Sequence, residues 1–148
     1  MKIKNLSKSN LTSVIGYGTF ITKGLWKSKQ NVAVCLIKDY IRIFPEANWY
    51  PYALPLIGAS FYALKFDVSG IDLKILDYYE GVPDGIFKRV KIEVLLKENI
   101  KIKAFIYIPT DDIIKSYNLS PELDKFDRWK EKIKKIPGIG EKFPELLL

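Results

Sequence analysis

Hydrophobic and polar positions change period along the chain, and the changes mark its elements. Thr12–Gly16 (TSVIG) reads as a first strand and leads into GYGTFITKG, a loop carrying several glycines. Residues 31–44 (NVAVCLIKDYIRIF) are dense in β-branched and aromatic types and predict one or two strands. Residues 47–64 (ANWYPYALPLIGASFYAL) form the longest uncharged run. Their length approaches a membrane span, but Asn48, Pro51, Pro55 and Ser60 interrupt it, which predicts a loop running into a buried strand over Leu56–Phe66. Ser69 then stands as a helix N-cap with Asp72 as its capping-box partner. That helix reaches Tyr79 or Glu80 and is stopped by Gly81, with Pro83 just beyond. In residues 86–96, Val90, Ile92 and Val94 alternate with Arg89, Lys91 and Glu93, the period of a half-buried strand. Residues 100–108 follow after Lys97-Glu98-Asn99 and complete a hairpin whose turn lacks glycine. Ser120-Pro121-Glu122 starts a terminal helix running through Leu123, Phe126, Trp129 and Ile133, one apolar stripe, to Ile136-Pro137-Gly138. Strands, one short helix, a hairpin and a last helix predict an α+β fold with a mainly antiparallel or barrel-like sheet, not a doubly wound one.

Composition narrows the chemistry. At 148 residues the chain suits one domain, and 48% hydrophobic against 28% charged residues supplies a core. There is no histidine and one cysteine, Cys35. Serine or cysteine nucleophiles activated by an imidazole are excluded, zinc sites are disfavoured, and no disulfide forms within the chain. Cys35 lies in an apolar strand and reads as a small buried residue. Proton handling therefore rests on Glu, Asp, Lys or Tyr. The net charge of +7 lies wholly in residues 1–65, where nine Lys/Arg face two acids. An anionic ligand, nucleic acid and simple solubility all fit that asymmetry, and the lysines are spread singly. The N-terminal MKIKNLSKSNL is basic but lacks the apolar stretch of ~7–15 residues that a secretory signal needs.

Three stretches could carry function. Gly16-Tyr17-Gly18-Thr19-Phe20 follows a strand. Its glycines permit positive φ and close approach of a ligand to backbone N–H groups, so it is either a nest for a carboxylate or oxyanion, or a plain turn. It is neither a dinucleotide fingerprint nor a P-loop, lacking the third glycine and the Gly-Lys-Ser/Thr. Glu80 ends the helix that starts after Ser69. At about 100° per residue it projects at about 180° from Ile71, between Leu76 and Leu73. A carboxyl on that apolar side is desolvated, with its pKa raised toward the range of a general base; if the helix has already ended, it points into water. The tail Lys135-Ile136-Pro137-Gly138-Ile139-Gly140-Glu141-Lys142 is open to two readings: the hairpin of a helix-hairpin-helix DNA-binding motif, or a helix C-cap with an apolar tail packed on the body or on a partner.

The first two stretches together resemble the gamma-glutamylcyclotransferase-like (AIG2-like) family. Its opening motif, Tyr-Gly-(Ser/Thr)-Leu, stands here as Tyr17-Gly18-Thr19-Phe20. Its second, Asp-x-x-Glu-Gly followed by Tyr-x-Arg, stands as Asp77-Tyr78-Tyr79-Glu80-Gly81 and Phe87-Lys88-Arg89, with Phe87 losing a hydroxyl. An aromatic strand, Phe105-Ile106-Tyr107-Ile108-Pro109, is a weaker third match, and the resemblance spans roughly residues 12–110.

The resemblance implies a small mixed, mainly antiparallel β-barrel with flanking helices over residues 1–112, and a C-terminal helical extension of the same domain over 113–148. It also implies a cytoplasmic transferase or lyase that releases 5-oxoproline from a γ-glutamyl amine or dipeptide. Glu80 is then the general acid/base, the backbone of Tyr17, Gly18, Thr19 and Phe20 holds the substrate's carboxylate, and Tyr107 lines the pocket. No cofactor and no metal is expected. The expected partner is a small molecule with a glutamyl carboxylate; nucleic acid and membrane are not expected, and a homodimer is compatible. The other reading of the same barrel is a non-catalytic binder of a small anion or a protein.

Overall fold

The computed structural model describes residues 10–148; the basic N-terminus, with Lys2, Lys4 and Lys8, lies outside them. Five strands close a barrel in the order β1-β3-β2-β4-β5: β1 Thr12–Gly16, β2 Gln30–Ile43, β3 Tyr52–Val68, β4 Phe87–Leu95 and β5 Lys101–Pro109. All neighbours are antiparallel except β1 and β5, which meet in parallel at Val14 and Phe105. This is the mixed, mainly antiparallel barrel expected from the motifs. Closure removes the open edges that a five-stranded sheet would expose.

The barrel is filled by the inward period of its strands. Ile15, Cys35, Ile37, Ala63, Ala104 and Ile106 are buried together, with Val94 from the strand whose alternation was read directly. The stretch read as one or two strands is a single long strand that ends at Ile43, one residue short of Phe44, with register shifts between Gln30 and Ala33 and between Lys38 and Tyr40. The β3 ladder begins at Tyr52, earlier than the expected Leu56, and Pro55 is accommodated at the second irregularity, opposite Tyr40. Leu95 pairs with Lys101, so the hairpin forms as expected. Its turn takes left-handed conformations at Glu98 (φ 63°) and Asn99 (φ 60°) in place of glycine.

Helix α1 (Thr19–Thr22) forms within the stretch GYGTFITKG that the sequence suggests is a loop, and a 3-10 turn (Leu25–Ser28) follows it. Helix α2 spans Gly70–Tyr79, with the Ser69 hydroxyl accepting from the Asp72 N–H at 3.2 Å. Beyond the barrel, α3 (Asp111–Ser116) is capped by Thr110, whose hydroxyl accepts from the Ile113 N–H.

The expected helix from Ser120 to Ile136 is interrupted. A 3-10 turn covers only Pro121–Leu123, and α4 starts at Arg128 and ends at Lys134. The reason is tertiary. Buried Asp124 accepts from the Phe44 and Arg128 N–H groups, and Asp127 turns left-handed (φ 48°) to meet Arg42. Phe126 is left 88% exposed, so the apolar stripe does not persist through it. After Gly138, α5 is a four-residue helix, Ile139–Lys142, followed by a 3-10 turn over Pro144–Leu147. Ile139, Phe143 and Leu146 are buried with Trp129, Ile133 and the barrel residue Leu64. The tail thus packs on the body, as the second of its two readings held. Among the described residues no helix is long and apolar enough to cross a membrane.

Candidate active site

The β1–α1 connection is built by close packing. A Cβ on Gly16 would lie 2.3 Å from the Phe20 ring, and one on Gly18 would lie 2.9 Å from Pro51. Neither glycine has positive φ, so the expectation that they serve left-handed geometry is corrected: they are there because neighbours approach too closely for a side chain. In the turn that follows, Ile21 and Thr22 donate to the Gly18 carbonyl. The N–H groups of Thr19 and Phe20 have no protein acceptor among the described residues, as befits the first turn of a helix.

Three buried bonds brace this connection. The Tyr17 hydroxyl donates to the Tyr107 carbonyl at 2.6 Å and accepts from the Ala53 N–H at 3.2 Å. The buried Arg42 guanidinium donates to the Tyr17 carbonyl at 2.8 Å. Its other nitrogens form a bidentate pair with the Asp127 carboxylate at 2.9 and 2.8 Å, and its plane sits over the Phe61 ring. Burial pushes the Tyr17 phenol far above its ordinary range, so it stays neutral.

Glu80 is held by the way α2 ends. Gly81, at φ 75°, donates to the Tyr78 carbonyl, and Val82 donates to the Asp77 carbonyl. This is a Schellman closure with Glu80 as the C-cap residue. Its half-buried carboxyl has no hydrogen bond or ion pair to protein among the described residues. Burial alone raises its pKa from the ordinary carboxylate range to about 7. Of the two positions weighed for it, in an apolar cleft or in open water, Glu80 occupies the first. One turn earlier, Asp77 accepts from the Tyr107 hydroxyl at 2.7 Å and pairs with Arg89 at 3.2 Å, and Arg89 lies over the Phe105 ring. The Tyr107 phenol is likewise pushed up, mainly by burial and then by its bond to Asp77.

These parts line one cavity of about 460 Å3, a size suited to a small metabolite. Tyr17, Gly18, Thr19, Phe20, Glu80 and Tyr107 all face it. The six residues expected to form the site thus line one cavity, while Asp77 and Arg89 of the second motif stand behind its wall and pair with each other. Phe87, where the family pattern has Tyr, is also in the wall and stacks on Tyr52.

The electrostatics of the cavity do not draw on the basic first half of the chain among the described residues. The charged side chains on the lining are the acids Glu80 and Asp84, and no Lys or Arg of the described residues lines the cavity. The positive charge of the first half does not face it there; a bound carboxylate would rely on backbone N–H groups. Sequence reading also missed Arg42, Asp127 and the aromatic pair Trp49 and Tyr50. The last two sat in plain view as part of an uncharged aromatic run before Pro51. Among the described residues no cluster of three or more Cys, Asp or Glu could hold a metal ion. Burial pushes the Cys35 thiol up to about 12, which leaves it un-ionised and inert at neutral pH.

No family model and no curated protein matches the sequence. Solved structures do. A gamma-glutamyl cyclotransferase shares 16% identity at a TM-score of 0.58, over 85% of this chain and 88% of that one. A yeast gamma-glutamyl cyclotransferase described as specific to glutathione shares 14% at 0.56, over 93% and 94%. An AIG2-like protein from mouse (Mus musculus) shares 19% at 0.54, over 77% and 82%. At such identities the likeness resides in the backbone, and together with the barrel order it shows that this chain has the fold of the gamma-glutamylcyclotransferase-like and AIG2-like proteins.

Proposed function

We propose that the protein is a cyclotransferase that releases 5-oxoproline from a γ-glutamyl amine. The observation that carries this reading is the pairing, in one cavity, of a Glu80 carboxyl with a pKa of about 7 and the N–H groups of Thr19 and Phe20, all without a protein partner among the described residues. The first can move protons near neutral pH; the second can hold the substrate's α-carboxylate.

Ionised Glu80 accepts a proton from the substrate's α-ammonium group. The freed amine attacks the side-chain carbonyl carbon, forming the C–N bond of a five-membered ring. The bond from that carbon to the leaving nitrogen then breaks as Glu80 returns its proton to that nitrogen, and the second proton shed by the ring nitrogen is taken up by the released amine, which departs as an ammonium ion. Ring closure is intramolecular, so holding the glutamyl group in a bent conformation removes much of the barrier. Tyr17 and Tyr107 act through their rings and as struts, since both hydroxyls are bonded to protein. We read residues 113–148 as an extension of the same domain, supported by the burial of Trp129, Ile133 and Phe143 with Ile21 and Leu64.

The test is turnover of γ-glutamyl amines, followed as 5-oxoproline. Glu80→Gln, which keeps the shape and removes the base, is expected to lower kcat/KM by about 10²–10⁴-fold while the variant stays folded. Equal turnover by wild type and Glu80→Gln overturns the role of Glu80. Wild-type protein that binds such compounds and converts none would be a binding barrel of this fold.

A further inference from the structure

The outer end of the cavity has a composition that the glutamyl group does not use. Among its lining residues, Leu25, Trp49, Tyr78 and Tyr79 stay exposed to solvent and so form its rim, with half-buried Tyr50 next to Trp49. These are large apolar surfaces left open: Leu25 is 41% exposed, Trp49 65%, Tyr78 79% and Tyr79 63%. Trp49 stands in a fixed setting, with the Lys23 ammonium 5.0 Å from its ring centroid and the Tyr50 ring edge-on at 4.9 Å. Exposed apolar side chains gathered on one cavity offer a surface that an apolar ligand group would cover.

Charge sharpens the class of that group. Asp84 is exposed at the same mouth, and Glu80 lies within. A leaving group bearing its own carboxylate, as any γ-glutamyl dipeptide does, would enter a passage lined by two acids and by no described cation. Lys23 and Lys29 sit over the wall rings Trp49 and Phe66 and do not line the cavity themselves. An amine that carries an aromatic or bulky apolar body and no carboxylate avoids that penalty and covers the open rings.

We propose that this rim is a leaving-group subsite, and that the substrate is the γ-glutamyl conjugate of a bulky apolar or aromatic amine without a carboxylate. The proposal rests on the cyclotransferase reading above and adds the chemistry of the released amine. Trp49, Tyr78 and Tyr79 receive its apolar body, and Asp84 rejects anionic competitors.

Three compounds with the same glutamyl group separate the two ideas: γ-glutamyl-phenethylamide, γ-glutamyl-methylamide and γ-glutamyl-alanine. The expected order of kcat/KM is the order written, with about a tenfold or larger step from the methylamide to the phenethylamide. Trp49→Ala and Tyr79→Ala are expected to shrink the phenethylamide-to-methylamide ratio by about tenfold each. Both side chains are mostly exposed, so neither truncation opens the core. Asp84→Lys is expected to shift preference toward γ-glutamyl-alanine. If the alanine or methylamide compound is turned over as well as the phenethylamide, the subsite is overturned and the cyclotransferase survives. If the ratio is indifferent to both truncations, the rim does not read the leaving group. If none of the three is converted, the function itself falls, and the subsite with it.

Discussion

Glu80 shows how burial gives a single carboxyl a working pKa. Its position as the C-cap residue of α2 puts it against the barrel, and burial alone lifts it from 4.5 to about 7. The lift has a cost that stability measurements can read. Between those two values the folded protein holds a proton that the unfolded chain has already released. Stability therefore falls as pH rises through this window, and the stabilisation present below pH 4.5 is lost above 7. Glu80→Gln cannot lose that proton. It is expected to be more stable than wild type at pH 8, by on the order of 2 kcal/mol, and to match it near pH 4.5. Urea unfolding at the two pH values checks this; a constant difference between them would mean that Glu80 titrates normally.

At the scale of elements, α2 was legible because every one of its signals is local. Ser69 caps it and Gly81 with Pro83 ends it, and the chain obeys both within a residue. The capping box is only half realised: Ser69 accepts from Asp72, with no reciprocal bond from the Asp72 carboxylate among the described residues. Gly81 has two duties. Its φ of 75° completes the Schellman closure, and a Cβ there would lie 3.0 Å from Ile86 Cδ1. Gly81→Ala is thus expected to destabilise the protein by about 1–3 kcal/mol and to lower turnover by moving Glu80, both measured on the purified variant. Retained stability would show that the left-handed turn is not required. The terminal helix was misread for the opposite reason. The stripe of Leu123, Phe126, Trp129 and Ile133 is a good local pattern, yet Asp124 and Asp127 are claimed by Phe44 and Arg42 across the fold.

For the molecule as a whole, one buried cation ties the extension to the site. Arg42 from β2 holds Asp127, before α4, on one side and the Tyr17 carbonyl on the other. Removing one partner of a buried ion pair strands the other charge. Asp127→Ala is expected to cost about 3 kcal/mol of stability, read by urea unfolding. The double change Arg42→Met with Asp127→Leu, which removes the charge as well as its partner, is expected to recover much of that loss. Turnover is expected to remain depressed, because the Tyr17 carbonyl has lost its donor. An Asp127→Ala variant as stable as wild type would show that the pair is solvated and dispensable.

What the sequence alone determined is short in range. The strand periods, the cap and stop of α2 and the two motifs around Tyr17 and Glu80 are written in neighbouring residues, because alternation, capping and left-handed glycine act over a few bonds. The absence of histidine likewise confines proton handling to Glu, Asp, Lys or Tyr, whatever the fold. The tertiary structure decided what depends on distance across the barrel. It decided that Glu80 is desolvated and has no ion-pair partner among the described residues, that no Lys or Arg of the described residues lines the cavity, and that Trp49, Tyr78 and Tyr79 line that same cavity. Burial and electrostatic partnership are properties of an environment assembled from residues tens of positions apart, and no local pattern in the chain encodes them.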